Sequence, residues 1–310
     1  MAPIQAFAVL AILIMTVAPA FGGPDSTDPA AETSAQEILE EVASGENVIH
    51  DGAIIVGYLD LSGRKETVES SISLTNCTIS GGANFKGVTF DGNLAFGGSR
   101  FVSKAEFQGA CFSKGADFQE CQFQEDARFP KARFLDFADF SNAQFHDSAV
   151  FGGARFEEAR FREAEFLGLA YFTRTEFNQS ADFVSAVFSK AASIKGEFRG
   201  PAYFIKASFG DDLTMMDCTF GDKSYFREAT FGKAANMHDS QFHGIVEFDG
   251  STFGGEAILQ RSVFEDNATF RKCRFNDNAN LGDVRFVKNA SFSEASFSKR
   301  AEFENSTIGY

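Results

Sequence analysis

A short motif, in which a small residue is followed two positions later by a large apolar one, recurs through most of the chain. From Phe85 to Ile308 there are 42 apolar centres, of which 36 are Phe, and all but two follow this rule; the exceptions have Leu94 and Leu213 at the small position. Their spacing alternates between five and six residues, as at positions 85, 90, 96, 101, 107, 112, 118 and 123. A helix would scatter centres five apart over different faces, and a strand would send them to opposite faces. The spacing therefore predicts a solenoid that turns a corner every few residues and buries each centre against its neighbours.

The non-Phe centres indicate how many sides each coil has. Ile194, Met215, Met237, Leu259 and Leu281 follow one another at intervals of 21, 22, 22 and 22 residues. They recur at every fourth centre, so they form one column only if the coil has four sides. We therefore predict a square coil of 22 residues and about ten and a half coils from the 42 centres. One residue is lost in the run of centres at 151, 156, 161 and 166, and another in the step from 194 to 198.

The same centres make up the predicted core. Stacked at the inter-strand spacing of about 4.8 Å, the coils would form a rod roughly 50 Å long. We assign a structural core to Phe107, Phe112, Phe118, Phe123, Phe129, Phe134, Phe140, Phe145, Ile194, Met215, Met237, Leu259 and Leu281.

These motifs, such as Ala105-Glu106-Phe107 and Ala116-Asp117-Phe118, resemble those of the pentapeptide-repeat family. The resemblance covers about 230 of the 310 residues. It departs from a strict period of five, because every second side here usually has six residues. The resemblance implies an all-β, right-handed quadrilateral β-helix. It does not imply one activity, because a fold of this kind serves diverse functions.

The N-terminal segment has a different character. No charged residue precedes Asp25, residues 6–17 are almost wholly apolar, and Ala18-Pro19-Ala20 resembles a cleavage site. We interpret residues 1–20 as a signal peptide, although its basic n-region is missing, and residues 21–34 as a flexible linker. This predicts a secreted or extracytoplasmic protein. An uncleaved segment would instead anchor the N-terminus to the membrane.

Residues 35–78 are expected to form an N-terminal cap ahead of the solenoid at 79–310. Ser34 and Glu37 fit a capping box, so a short helix is predicted up to about Ser44, with Gly45 at its end. Strand-like runs follow, and we expect the helix and residues 54–61 to cover the first coil, because exposed strand edges promote aggregation. No comparable segment follows Ile308, so the C-terminal coil is a candidate homodimer interface.

Four of the five cysteines occupy the small position two residues before a centre. We interpret Cys77, Cys121, Cys218 and Cys273 as core fillers, too far apart in the repeat to form disulfides. Cys111 lies one residue before its centre and should point outward. It is therefore the thiol expected to react or to link two chains.

The remaining polar residues give weaker indications of a binding site. The four histidines at positions 50, 146, 238 and 243 lack metal-ligand spacing. Asp117, Asp139 and Asp182 should share an outer face, where stacked carboxylates could hold Ca²⁺, but Arg160 interrupts the row. Tyr203 and Tyr225 should stack on that face as well. Five N-x-S/T sequons, at positions 76, 178, 267, 289 and 305, fit an exported protein but also follow from the repeat itself.

Charge and motifs bound the function. The net charge of −15 argues against sequence-independent nucleic-acid binding, which needs Lys and Arg on phosphates. Nucleophile motifs, phosphate loops and CxxC pairs do not occur, so we predict no enzyme, cofactor or metal. The favoured interpretation is an exported structural or protein-interaction module, a rod with four acidic faces and an unknown protein partner. The alternative is a DNA-mimicking inhibitor of a topoisomerase, which requires a cytoplasmic location.

Overall fold

The computed structural model describes residues 30–64 and 66–309. Almost all of these residues form the coils of a parallel β-solenoid. There are about 13 turns of some 22 residues each, and one helix lies near the N-terminus. The predicted signal peptide and most of the predicted linker lie outside the described residues. The predicted number of coils was too low, because parallel strands already begin at Glu32.

Four ladders of short parallel strands run along the solenoid, and we call them faces 1 to 4. Neighbouring strands in a ladder are 21 or 22 residues apart in most of the solenoid, as in the pairs Phe101↔Phe123 and Phe145↔Phe166. Face 1 contains the strands Glu32–Ser34, Ile54–Val56, Thr78–Ile79, Arg100–Phe101, Gln122–Phe123, Gln144–Phe145, Glu165–Phe166, Val187–Phe188, Ser208–Phe209, Thr230–Phe231, Thr252–Phe253, Arg274–Phe275 and Ser296–Phe297.

Faces 2, 3 and 4 share four longer strands, each of which passes a corner. Face 2 contains Leu59–Asp60, Ala83–Asn84, Ala105–Glu106, Ala127–Arg128, Ala149–Val150, the starts of Ala170–Phe177 and Ala192–Phe198, Leu213–Thr214, Ala235–Asn236, Ala257–Ile258, Ala279–Asn280 and Ala301–Glu302. Face 3 contains Thr89–Phe90, Cys111–Phe112, the starts of Arg133–Asp139 and Arg155–Arg160, the ends of Ala170–Phe177 and Ala192–Phe198, Thr219–Phe220, Gln241–Phe242, Val263–Phe264, Arg285–Phe286 and Thr307–Ile308. Face 4 contains Val48–Asp51, Ile72–Thr75, Leu94–Ala95, Ala116–Asp117, the ends of Arg133–Asp139 and Arg155–Arg160, Ala181–Asp182, Ala202–Tyr203, Ser224–Tyr225, Val246–Glu247, Ala268–Thr269 and Ala290–Ser291.

The core consists of the apolar centres, stacked in one column behind each face. Within a column the rings lie nearly parallel, as for Phe107 and Phe129, whose centroids are 4.6 Å apart at 2°. Between columns they meet edge to face, as for Phe118 and Phe129 at 5.5 Å and 84°. Both arrangements suit the quadrupole of an aromatic ring. All thirteen side chains assigned to the core from the sequence are buried, and the aliphatic run from Ile194 to Leu281 lies in the column of face 2.

The alternation of five and six residues follows from two kinds of corner. At the corners from face 2 to 3 and from face 4 to 1, the residue two after the centre has a positive φ, as at Glu120 (57°) and Lys131 (58°). There the centre's carbonyl accepts a hydrogen bond from the N–H three residues on, as in Ala132 N–H to Phe129 O at 3.1 Å. This tight turn brings the next centre one residue earlier than at the other two corners.

The two predicted residue losses are visible in the strand register. The pairing of Arg133–Asp139 with Arg155–Arg160 shifts by one between Phe134 and Phe137. A second shift falls between Thr173 and Thr175, where the corner of the next coil is one residue shorter. The solenoid absorbs both without interrupting the phenylalanine columns.

The helix, Ala35–Ser44, covers the first coil. Ser34 Oγ accepts the N–H of Glu37 at 3.1 Å, and Gly45 ends the helix with a φ of 79°. Ile38 and Val42 pack into the core. The strands at 48–61 join the ladders of faces 4, 1 and 2, so the coils extend into the segment that we expected to be a cap.

Candidate functional site

The outer surface of the coils carries the side chains available for function, because the interior is filled by the stacked centres. Residues one before each centre form outward rows along every face, with a step of one coil. On face 4 the row contains Asp117, Asp139, Arg160, Asp182, Tyr203, Tyr225 and Glu247 in strand register. The rows predicted from the sequence are therefore the rows in the structure.

The aspartates of face 4 are engaged within the protein. Asp117 and Asp139 each accept the N–H two residues on, at 2.9 Å, which holds the corner turn. Arg160 lies between Asp139, at 3.4 Å, and Glu158, at 2.8 Å, and Arg162 contacts Asp182. Among residues 30–64 and 66–309, no group of three or more His, Cys, Asp or Glu side chains could hold a metal ion.

The tyrosines of face 4 form a short stacked platform. The rings of Tyr203 and Tyr225 are 5.5 Å apart at 13°, and the Arg227 guanidinium lies 5.2 Å from the centre of the Tyr225 ring. Glu247 pairs with Arg227 at 3.5 Å. The platform is thus occupied on one side by Arg227, which lies at the corner that follows the strand Ser224–Tyr225.

The four core cysteines donate weak hydrogen bonds to backbone carbonyls of the preceding coil. The Sγ–O distances are 3.0 Å from Cys121 to Phe96 and 3.1 Å from Cys218 to Ile194. Burial raises the pKa of the Cys218 thiol to about 12. Each of the five cysteines, Cys77, Cys111, Cys121, Cys218 and Cys273, is free.

The prediction of an accessible thiol at Cys111 was wrong. This side chain does point away from the centres, but it is buried, because Arg133 on the next coil covers it. The guanidinium Nη2 lies 3.2 Å from the sulfur. The covering residue stands 22 positions along the chain, so the repeat register contained the signal needed to identify it.

Three of the four histidines pair with carboxylates rather than with one another. His50 contacts Glu41 at 3.0 Å and His243 contacts Glu265 at 2.9 Å. His238 contacts Asp239, which also accepts two bonds from Arg261 at 2.7 Å. These bonds from Arg261 lower the pKa of Asp239 to about 2.

The faces are mixed in charge rather than uniformly acidic, which corrects the expected four acidic faces. From residue 79 onward the chain has 26 basic and 32 acidic residues, whereas the first 78 residues have 2 and 11. Basic and acidic side chains pair across neighbouring coils. Such pairs join Lys233 to Asp211, Arg261 to Asp239, Arg271 to Asp249, Lys288 to Asp266 and Lys299 to Asp277.

Apolar side chains become exposed in the last described coil. Phe286 is 2% exposed, whereas Phe303 is 42% and Ile308 is 57% exposed. Each strand of this coil pairs with the preceding coil and has a free edge on its other side within the described residues. No helix in the ranges 30–64 and 66–309 has the length and hydropathy that a membrane-spanning segment needs.

Sequence comparison identifies the repeat independently. A family profile described as pentapeptide repeats (9 copies) matches residues 74–122, 107–155, 118–165, 129–175, 226–274 and 259–307, which together span more than half of the chain. No curated protein matches the chain.

Two solved structures show a remote likeness. Both are trypsin-treated forms of QnrB1, described as a plasmid-mediated fluoroquinolone resistance protein. One is 15% identical, with 87% of this chain and 92% of that chain covered and a TM-score of 0.17. The other is 17% identical, with 88% and 90% covered and a TM-score of 0.14. Scores this low carry no argument about fold or function.

Proposed function

The chain belongs to the pentapeptide-repeat family, and from that premise we propose that it is a non-enzymatic structural and protein-interaction module that works outside the cytoplasm. Its interior is filled by the packed core, and the solenoid backbone holds the outward side chains at fixed intervals. A surface of this kind suits binding to another protein surface, because its side chains are ordered before contact and lose little freedom on binding.

The observation that carries the proposal is the exposure of apolar side chains in the last described coil. Phe303 and Ile308 are exposed there, and the strands Ala301–Glu302 and Thr307–Ile308 each offer a free edge. Exposed apolar groups beside an open strand edge favour pairing with another strand edge. A second copy of the chain presents the same combination, which supports a homodimer through this coil.

Light scattering on the full chain tests the homodimer. We expect the unmodified protein to have the mass of a dimer, and Phe303→Glu combined with Ile308→Glu to have the mass of a monomer. Leu135→Glu is the matched control, because Leu135 is 53% exposed but lies in the middle of the solenoid. A monomeric unmodified protein would contradict the homodimer, and so would a dimer that survives both substitutions.

Export is supported by the sequence of the first 20 residues. Mass spectrometry of the protein isolated from its native cells should find a chain that begins after Ala20, in a fraction outside the cytoplasm. A full-length chain in the membrane fraction would indicate an uncleaved anchor. Affinity capture from the same fraction, with the Leu135→Glu protein and the doubly substituted protein in parallel, should identify the protein partner.

The alternative function, a DNA-mimicking inhibitor of a topoisomerase, requires a charge density close to that of DNA. Duplex DNA carries one negative charge per about 1.7 Å, or roughly 30 charges along a 50 Å rod. The solenoid from residue 79 onward carries 32 acidic residues but also 26 basic ones, many of them paired. The smaller net charge favours the interaction module. Inhibition of DNA supercoiling by the purified protein, together with a cytoplasmic location, would favour the alternative.

A further inference from the structure

One groove on the surface of the solenoid is lined mainly by basic side chains. It lies at the corner between faces 2 and 3 and has a volume of about 410 Å³. We call it the cationic groove and define it by Lys131, Arg133, Gly153, Arg155, Arg174 and Glu176. Four of its six residues are basic, on a chain whose net charge is −15.

The groove exists because two side chains are missing from one corner column. In successive coils this column contains Lys131, then Gly153, then Arg174. Gly153, with a φ of 69°, has no side chain to fill the space between its two neighbours. In the next coil the step from Ile194 to Phe198 is four residues long, so the left-handed corner residue itself is absent. Arg174 therefore has no corner side chain beside it in either the preceding or the following coil.

The positive charge in the groove is not balanced by the residues that line it. Glu176, the one carboxylate among them, is bound by Arg155 at 3.1 Å and by Arg199 at 3.4 Å. Neither Lys131 nor Arg174 makes an ion pair within the part of the chain that the structure describes.

Two further arginines of the groove face each other directly. Arg133 and Arg155 are partners in the strand register, where like charges repel each other. Arg133 also contacts the Cys111 sulfur, which is not a carboxylate.

Corner cations elsewhere on the solenoid meet a carboxylate from a neighbouring coil. Arg261 binds Asp239, the corner residue of the preceding coil, at 2.7 Å. Lys206 lies 3.9 Å from Glu228, and Lys272 lies 4.0 Å from Glu294, in both cases the corner residue of the following coil. This pattern predicts a carboxylate at the corner between Lys131 and Arg174. The residue at that corner is Gly153, which has no side chain.

We propose that the cationic groove binds a carboxylate-rich segment of a protein partner, whose acidic side chain takes the place of the missing corner carboxylate. Guanidinium groups bind carboxylates through two parallel hydrogen bonds. Among the described residues neither Arg174 nor Arg133 makes an ion pair, and Arg133 donates one hydrogen bond to the Cys111 sulfur. Three coils span about 10 Å. An extended strand places alternate side chains about 7 Å apart, so acidic residues at alternate positions can reach both ends of the groove.

This inference rests on the proposed function as a protein-interaction module and names the chemistry of the partner. The cationic groove lies in the coils that contain Lys131, Gly153 and Arg174, several coils before the last one. Failure to bind an acidic peptide would therefore leave the dimer mass and the captured partner as separate evidence for the module.

A fluorescent oligo-glutamate peptide is the probe, and anisotropy with the full chain is the measurement. The unmodified protein should bind it, and binding should weaken as salt rises. Gly153→Asp supplies the missing carboxylate from within and should weaken binding about tenfold. At Gly153 a Cβ would lie 3.5 Å from Lys131 Cγ, which is ordinary contact.

Gly250→Asp is the matched control. Gly250 has a φ of 73°, and its Cβ would lie 3.6 Å from Glu228 Cγ, so backbone, space and charge change are the same at a remote corner. It should bind the peptide as the unmodified protein does. Gly153→Asp should also melt at a higher temperature than Gly250→Asp, because it relieves repulsion among the groove cations.

A charge reversal separates the groove from general attraction. Arg174→Glu should lose binding about tenfold or more, whereas Arg274→Glu, an exposed arginine on face 1, should not. Equal loss in both variants, no binding by the unmodified protein, or tighter binding of a sulfated polysaccharide than of the peptide would overturn the proposal.

Discussion

The contribution of a phenylalanine to the stability of this chain depends on whether its ring points into the solenoid or outward. Phe118 is a centre and is fully buried, with Phe140 stacked 4.8 Å away at 2°. Phe137 lies in a seven-residue strand but is not a centre. Its ring faces outward, with the Arg160 guanidinium 5.3 Å from its centroid. The same residue type is therefore core in one place and surface in the other.

Phe118→Ala should lower the free energy of unfolding by about 3–5 kcal/mol, because it leaves a cavity in the stacked column of face 4. Phe137→Ala is the internal control and should cost less than about 1 kcal/mol, the scale of an exposed cation–π contact. Chemical denaturation followed by circular dichroism measures both. Similar losses in the two variants would contradict the assignment of Phe118 to the core.

The buried thiols predict a loss of stability at alkaline pH. Burial raises the pKa of Cys218 and of Cys273 to about 12, from 9.0, and raises that of Cys121 well above 9.0. The unfolded chain therefore releases these protons at a lower pH than the folded chain. The stabilisation is complete below pH 9 and is lost as the pH rises from 9 toward 12. Melting temperatures measured over this range should fall progressively.

A double substitution isolates the thiols from other alkaline effects. Cys218→Ser with Cys273→Ser should flatten the decline above pH 9, because serine does not ionise there. Serine fits this position, since Ser240 and Ser262 already donate to carbonyls of the preceding coil at 3.0 Å and 2.9 Å. An unchanged decline would assign the pH effect to other groups.

At the scale of the coil's corners, left-handed residues other than glycine carry a conformational cost. Glu120 has a φ of 57°, and its exposed side chain makes no ion pair within the described residues. Glu120→Gly should raise the free energy of unfolding by about 0.5–1 kcal/mol, because glycine accepts this backbone without strain. Gln119→Gly, in the same corner but without a positive φ, should lower it by a similar amount. Urea denaturation of the two variants should give shifts of opposite sign.

Most of the architecture was predictable from the spacing of the centres. Large side chains that must all point inward leave few paths for the backbone, and the column from Ile194 to Leu281 required four sides. The helix was predictable from Ser34 and Gly45, because its end groups need local partners.

The features that could not be predicted from the sequence arise from contacts between residues in neighbouring coils. The strands at 48–61 lack phenylalanine centres, so their place in the ladders was not visible before the structure. Cys111 is covered by Arg133, which is remote in sequence and adjacent in space. The cationic groove was missed for the same reason, although Gly153 and the short step after Ile194 were its signals.

At the scale of the whole solenoid, the direction of the backbone donors differs between faces. On faces 1 and 3 the N–H groups donate to the preceding coil, as Ser296 does to Cys273 O and Thr307 to Val284 O. On faces 2 and 4 they donate to the following coil, as Ala279 does to Arg300 O. Within the described residues, the last coil therefore presents its unpaired backbone donors on faces 2 and 4.

Hydrogen exchange should resolve this difference within one coil. In the monomeric Phe303→Glu, Ile308→Glu protein, the amides of Ala290 and Ala301 should exchange at least about a hundredfold faster than those of Ser296 and Thr307. The unmodified protein is the control, and dimer formation should protect all four. Uniform exchange across the last coil of the monomer would contradict the alternating donor pattern.

The hydrogen bonds between coils all run along the axis of the solenoid, and this gives the molecule a mechanical character. Tension applied between its ends pulls on one coil at a time, so the coils should separate in sequence rather than together. Each coil of some 22 residues occupies about 4.8 Å of the rod but yields roughly 70–80 Å of extended chain. A protein tethered at one end and loaded at the other would lengthen in regular steps, and every step would leave a new terminal coil ready to re-form when the load falls.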